Sequence, residues 1–401
     1  MPAPTSDDIN RWIVRASLDG ADAPAILAGV CERLVAAGVP LMRAALAGDM
    51  LDPSFDSIGV RWSKRDGASE APFLRTPNAT LDEEWLKSPF YALVKCPDDR
   101  LRRRLGADYR EGEFPVLDEF RAKGGTDYLG MIVRLGESMW LGDTRGVVTS
   151  WLADAPAGFT DQAIELIAPT LPPLATAFLW RSMQRSARTL MTTYLGSDAA
   201  ERVLAGNVVR GRAECIRAVV WYSDLVGFTR IADAQRSQVV LAMLNDYAGA
   251  LVESIEAHGG HVLKFIGDGM LAIFPDRDES NACERALDAA AEARRRLEAL
   301  NAARREAGLP VSDADIALHI GELLYGNVGS PRRLDFTVLG AAVNEAARIE
   351  ALCASLDQRV IVSSAFVQAG GEAVRARLVS LGRYALKGVA RPQELFTLEP
   401  A

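Results

Sequence analysis

No two of the five cysteines in this 401-residue chain stand in a CxxC spacing. Cys31, Cys96, Cys215, Cys283 and Cys353 are far apart and odd in number. That argues against a disulfide framework or a cysteine zinc site and suits a reducing compartment. Positive charge is not in excess either. The formal net charge is −8, which disfavours broad electrostatic binding to nucleic acid or anionic lipid. The basic stretch RLRRRLG, with Arg102, Arg103 and Arg104, therefore reads as a solvated helix face.

A clean apolar run of about 20 residues is missing as well. AIELIAPTLPPLATAFLW, at 163–180, comes nearest but carries Glu165 and three prolines. The first residues, MPAPTSDDINRW, lack the charged-then-apolar pattern of a signal peptide. The expectation is a cytoplasmic protein with no membrane span. Internal repeats are absent. The composition, 49% hydrophobic and 24% charged, is that of a folded chain long enough for two or three domains.

What is present divides into two halves. Residues 8–48 read as helical, with a break at GVP (38–40). SIGVRWS (57–63), YLGMIVRL (128–135) and GVVTSWLA (146–153) read as strands, and PAGFT as a turn whose Thr160 caps a helix. Residues 1–180 are thus expected to form an α+β domain. Residues 174–204 turn helical, with Leu179, Met183 and Leu190 on one stripe. The connector, 181–212, either pairs with its copy in a dimer or packs on its own domain; the pattern leaves both open.

The second half, 213–401, is more legible. AVVWYSD is a strand, and SQVVLAMLNDYAGALVESIEAHGG an amphipathic helix stopped by Gly259 and Gly260. HVLKFI and MLAIFP form a hairpin around a GDG turn. A helix follows, then DIALHIGELLYGNVG as a strand pair, LDFTVLG as a strand and AAVNEAARIEALCA as a helix; RVIVSS, LVSLGRYAL and ELFTLEP close the chain. This order describes a ferredoxin-like α+β sheet with helices on one face.

Three stretches carry chemistry. Asp224 ends an apolar strand where a glycine-containing turn enters a helix, a place where backbone amides can cradle phosphate. Alone it reads more readily as a helix cap. Asp268 tips the GDG hairpin, and two carboxylates converging there would suit a divalent cation. Asn344 and Arg348, i and i+4, share a helix face and can meet a hydroxyl and a phosphate.

Together, VVWYSDLVGFT, LKFIGDGMLAIF and GNVGSPRRLDFTVLGAAVNEAAR resemble the class III nucleotidyl cyclase domain over roughly 213–398. The resemblance implies two metal-binding aspartates at Asp224 and Asp268, with the Leu225 carbonyl as a further ligand for two Mg²⁺ or Mn²⁺ ions. It implies a triphosphate-holding turn at Gly227, Phe228 and Thr229. It also implies a base-selecting pair at Lys264 and Thr337, the Lys–Thr combination of an adenylate cyclase subtype that often responds to bicarbonate. Asn344 and Arg348 fall on the ribose-orienting and transition-state pair, and Lys387 on a phosphate-contacting lysine. Asp315 and Ala341 depart from the family's usual Arg and Asp. His258, His261 and His319 match no family base and read as structural.

The implied activity is conversion of ATP to cyclic AMP by a homodimer with shared active sites. A guanylate cyclase and a silent nucleotide-binding module are the alternatives. The layout of residues 1–180 resembles a GAF-type sensor, which implies a small-molecule or protein regulator.

Overall fold

The computed structural model describes residues 3–53, 55–74, 83–137, 145–276, 281–387, 389 and 392–399, in two compact units, 1–190 and 191–401. The outermost expected domain bounds, 1 and 401, and Gly388 of the ALKGV stretch lie outside the described residues.

The first unit runs α1 (Ser6–Leu18), α2 (Ala23–Ala36), β1 (Leu41–Asp49), β2 (Phe55–Ser63), β3 (Gly67–Leu74), α3 (Glu83–Leu86), α4 (Pro89–Lys95), β4 (Arg100–Arg104) and α5 (Pro115–Ala122). It continues with β5 (Asp127–Arg134), β6 (Gly146–Ala153), α6 (Asp161–Ile167) and α7 (Leu171–Leu195). Its sheet is antiparallel in the order β3-β2-β1-β6-β5-β4. Alternate residues of β6 supply two cores. Val147 and Trp151 meet α1, α2, α6 and α7, while Val148 and Leu152 meet α4 and α5.

Two expectations fail in this unit. Residues 41–48 are strand, because LMRAALAG pairs with β2 on one side and β6 on the other, and ladder pairing outweighs the helix propensity of its leucines and alanines. RLRRR is the edge strand β4, not a helix face. Two of its four arginines are paired, Arg102 with Asp127 at 2.6 Å and Arg103 with Glu113 at 2.6 Å. Thr160 does cap α6, accepting from the Ala163 amide at 3.1 Å. The run Asp161–Leu195 is long and apolar enough to cross a membrane, with half of its most apolar window buried. Leu171, Leu174 and Phe178 within it are core of the first unit.

The second unit runs α8 (Ser197–Leu204), β7 (Ala213–Leu225), α9 (Phe228–Ala234), α10 (Ser237–Ala257), β8 (His261–Ile266), β9 (Gly269–Pro275), α11 (Ala282–Glu306) and β10 (Ala314–Ser330). β11 (Arg333–Leu339), α12 (Ala341–Glu350), α13 (Cys353–Leu356), β12 (Val360–Ser363), α14 (Ser364–Arg375), β13 (Leu378–Tyr384) and β14 (Gln393–Leu398) complete it. The strand order is β13-β14-β12-β10-β7-β9-β8, with β11 paired to β10.

Helices cover both faces, which corrects the one-face expectation. Val219 and Trp221 of β7 pack with α10, α11 and α14; Ala218 and Val220 pack with α8, α12 and β11. This is why residues 218–222 of β7 read as an apolar run. DIALHIGELLYGNVG is one continuous strand and not a strand pair. Its Gly321 makes no turn but lets α12 approach, since a Cβ there would lie 2.7 Å from the Ala342 methyl. The sequence reading also passed over α14.

Candidate functional site

The site begins where β7 runs out. Asp224 is half-buried, one residue before the strand's end, and stands opposite Asp315 of β10 in the antiparallel register. The β8–β9 hairpin places its turn over that end. A Cβ on Gly269 would lie 2.7 Å from the Ser223 carbonyl oxygen and 3.1 Å from Asp224 Oδ1, so a side chain there would push the turn away. With glycine, the turn sits close enough for Asp268 to act on Asp224. Burial first, and then the Asp268 charge and hydrogen bond, push the Asp224 carboxyl up to about 6; a bond from the Leu225 amide opposes them.

Two further carboxylates enter this field that the sequence did not mark as contributors. Glu350, the last residue of α12, is pushed up to about 7, by burial and then by Asp224, Asp315 and Asp268. No motif signals it; a carboxylate ending a helix is ordinary in sequence. Asp315, noted only as a departure from the family, is raised by burial against the pull of Arg359, whose Nη1 donates to it at 2.8 Å. Among the described residues no group of three His, Cys, Asp or Glu side chains is arranged to hold a metal by itself. The carboxylates of Asp224 and Asp268, with the Leu225 carbonyl between strand and turn, offer hard oxygen donors and require others from a ligand.

After β7, Gly227 adopts φ +67°, the left-handed region that glycine tolerates, and caps α9 without a side-chain bond. Phe228 anchors the turn on the core, and Thr229 is exposed. α12 buries Ala342, Ala346 and Ile349 while Asn344 stays exposed and Arg348 half-buried one turn on. Ala341 is the exposed first residue of α12. Lys387 is exposed in the connection between β13 and β14.

Lys264 of β8 donates from Nζ to Asp335 of β11 at 2.5 Å, two residues before the buried Thr337. Asp335 was not singled out in the sequence. The histidines hold structure: His319 Nδ1 lies 2.8 Å from Ser363 Oγ and burial lowers its pKa, while His258 Nδ1 lies 2.9 Å from the Ser254 carbonyl. His261 is the first residue of β8.

Residues 212–400 match the sequence profile described as "Adenylate and Guanylate cyclase catalytic domain". That segment belongs to this family. Within this cyclase domain the strand end, the hairpin tip and α12 are the elements that carry the three motifs. Adenylate cyclase 1 of Rhizobium meliloti (strain 1021) is 30% identical over 220 residues, covering 54% of this chain and 33% of that protein. The adenylate cyclase of Anabaena cylindrica is 32% identical over 166 residues, covering 40% of this chain and 32% of its own. The chain thus spans about a third of the length of these two relatives. A solved bacterial light-regulated adenylyl cyclase shares the fold, with a TM-score of 0.50 at 20% identity over 65% of this chain and 83% of its own.

Proposed function

We propose that the chain is an adenylate cyclase, cytoplasmic and homodimeric, whose N-terminal α+β region is a GAF-like sensor regulating it through the helical connector. The observation that carries this reading is the β8–β9 turn seated against the end of β7, where the charge of Asp268 helps to push Asp224 up to about 6. Two carboxylates that repel each other at a phosphate-cradling turn fit divalent cations. Asp224, Asp268 and the Leu225 carbonyl would hold two Mg²⁺ or Mn²⁺ ions, which when bound lower the pKa of the attacking hydroxyl and neutralise triphosphate charge.

The chain's own groups then divide the work. The amides of Gly227, Phe228 and Thr229 bind triphosphate oxygens at the start of α9, and Lys387 adds charge there. Asn344 orients the ribose so that its 3′-hydroxyl lies in line with the α-phosphorus. As the new P–O bond forms and pyrophosphate leaves, Arg348 offsets the negative charge that grows on the α-phosphate. Lys264 and Thr337 select adenine. Guanine recognition in this family uses an acidic residue where Lys264 stands, which disfavours a guanylate cyclase. By the family resemblance each site is shared: one protomer gives the aspartates, and its partner gives Lys264, Thr337, Asn344 and Arg348.

The test is incubation of the purified chain with ATP or GTP and Mn²⁺, followed by chromatography of the products. Cyclic AMP from ATP, in strong preference to cyclic GMP from GTP, is expected. Equal use of GTP would remove the adenylate assignment, and no cyclic product from either would leave only the binding-module reading.

A further inference from the structure

We propose that Ser312 is a positioning residue for ATP cyclisation: its hydroxyl sets the direction of the Val226–Gly227 peptide, so that the Gly227 amide faces the triphosphate. This rests on the reading of the turn after β7 as the triphosphate site, and adds to it residues that no motif marks.

Both peptide units that flank Val226 are held by the segment that enters β10. The Val226 N–H donates to the Asp313 carbonyl at 2.9 Å, and Ser312 Oγ donates to the Val226 carbonyl at 2.8 Å. A peptide unit is planar, and in its trans form the N–H and C=O point in opposite directions. The first bond therefore turns the Leu225 carbonyl away from that segment, and the second turns the Gly227 N–H away from it. Those are backbone groups that the proposed site offers to cation and to phosphate.

Gly227 makes the second bond necessary. Its φ of +67° lies in a region that glycine enters as readily as negative φ, so the peptide before it has no local reason to keep one direction. No side chain caps α9 at this turn. The Ser312 hydroxyl supplies the constraint from 86 residues away. Its hydrogen has a nearer acceptor in the Val226 carbonyl than in the Asp313 carbonyl, at 3.1 Å.

Ser312 is fixed in turn by buried polar groups. Its N–H donates to the Tyr247 hydroxyl at 2.6 Å, and its carbonyl accepts from Asn301 Nδ2 at 2.6 Å. The Tyr247 hydroxyl donates to Asn301 Oδ1, which closes the ring. Tyr247 of α10 is wholly buried, and Asn301 of α11 nearly so. Arg304 donates from Nε to the Pro310 carbonyl at 2.8 Å and pairs with Asp246, while Arg294 and Arg359 hold the Asp313 carboxylate. Buried polar side chains are costly unless their bonds are made. Here they are made to one another and to Ser312, whose backbone is gripped on both sides.

The experiment uses the full chain with Ser312→Ala, Tyr247→Phe, the double variant Ser312→Ala/Tyr247→Phe, and Ser254→Ala as a control. Ser254 is wholly buried two turns further along α10 and also donates its hydroxyl to a backbone carbonyl, that of Ala250 at 2.8 Å. KM and kcat for ATP are measured with Mn²⁺, beside the calorimetric affinity for inorganic triphosphate. Ser312→Ala should weaken triphosphate binding and raise KM on the order of tenfold to a hundredfold, the loss of one hydrogen bond to a charged group. The change in kcat should be smaller, since the amide meets the phosphate both before and during reaction. Tyr247→Phe should show a smaller loss in the same direction. The double variant should lose no more than Ser312→Ala alone, because the tyrosine acts through the serine. Ser254→Ala should keep the wild-type KM and triphosphate affinity, whatever its melting temperature.

Wild-type KM and triphosphate affinity in Ser312→Ala, a fall in kcat alone as from a smaller folded fraction, or additive losses in the double variant would each overturn the proposal. A matching rise of KM in Ser254→Ala would do the same. Failure of the underlying reading shows elsewhere. The unmodified chain would then bind no triphosphate in Mn²⁺, and the role of Ser312 falls with that of the turn.

Discussion

Each unit places an aspartate at a sheet end, and the two are treated in opposite ways. Asp127, at the start of β5, has no exposed side-chain surface. Arg102 donates to it from Nε and Nη2, at 3.2 and 2.6 Å, and the Phe159 amide donates at 3.0 Å. Every strong demand of that carboxylate is met inside its own unit. Asp224 is half-buried and faces another carboxylate, Asp268, with Asp315 and Glu350 close enough to add to its field. A satisfied buried acid holds a fold together, whereas an acid left facing its own kind waits for a cation or a proton. The same residue type is structural in the first unit and chemical in the second, and the partner decides which.

The largest effect that would test this contrast is on turnover. Asp224→Ala or Asp268→Ala should lower cyclisation by a thousandfold or more, on the order of the loss when a metal ligand is removed, with the melting temperature held. Near-normal activity in either would break the two-carboxylate assignment. Arg348→Ala should be inactive as well. When it is co-expressed with Asp224→Ala, one site of each heterodimer inherits both defects and the other neither. Up to about half of the wild-type activity per heterodimer should then return. Heterodimers captured by pull-down that remain silent would rule out shared sites.

The reverse substitution belongs to the first unit. Asp127→Ala strands the partly buried Arg102 guanidinium and the buried Phe159 amide, and should cost the first unit about 3 kcal/mol, read by urea denaturation. A truncated chain starting near residue 185, which dispenses with Asp127 and its unit altogether, should keep some activity with an altered basal rate. If the truncated chain were soluble, dimeric and inactive in every condition, the modular reading would lose its support.

A glycine lies against each acid, and the pair sharpens the contrast. A Cβ on Gly158, at φ +69°, would lie 2.5 Å from Asp127 Oδ2, and one on Gly269 would meet Ser223 and Asp224. Gly158→Ala should therefore cost about 1–3 kcal/mol of stability in the first unit. Gly269→Ala should lower turnover at least tenfold by moving Asp268 away, with a smaller change in melting. Equal losses of stability and of activity in both variants would erase the distinction.

The smallest effect is on pH. Asp224 is raised from 3.8 to about 6, so its contribution to stability is full below about pH 4 and is lost as pH rises through 6. Glu350, raised to about 7, carries the same trend higher. Without divalent cations, Asp224→Asn should stabilise the second unit by about 1 kcal/mol at pH 8, after allowance for solvent screening, and by nothing at pH 4. A gain that does not vary with pH would show that repulsion is not its source.

The motifs were legible because each is local: a strand ending on Asp224, a GDG hairpin at Asp268, an Asn344–Arg348 helix face. Misreadings occurred where a local pattern met a distant partner. LMRAALAG has helix formers but pairs with two strands; DIALHIGELLYGNVG reads as a strand pair but runs on through Gly321, which seats α12; RLRRR reads as a helix face but is an edge strand. Glu350 and Asp335 had no signal at all, since each is an ordinary polar residue until the chain folds.

By itself the sequence determined the elements that carry the three motifs, the order of those motifs and the capping of α6 by Thr160, because these depend on neighbours within a few residues. Only the tertiary structure decided that Asp224 meets Asp268, that Glu350 and Asp315 share their field, and that Lys264 is held by Asp335. Charge interactions fall off over a few ångströms through space and take no account of separation along the chain, so they come into being only when the sheet is assembled.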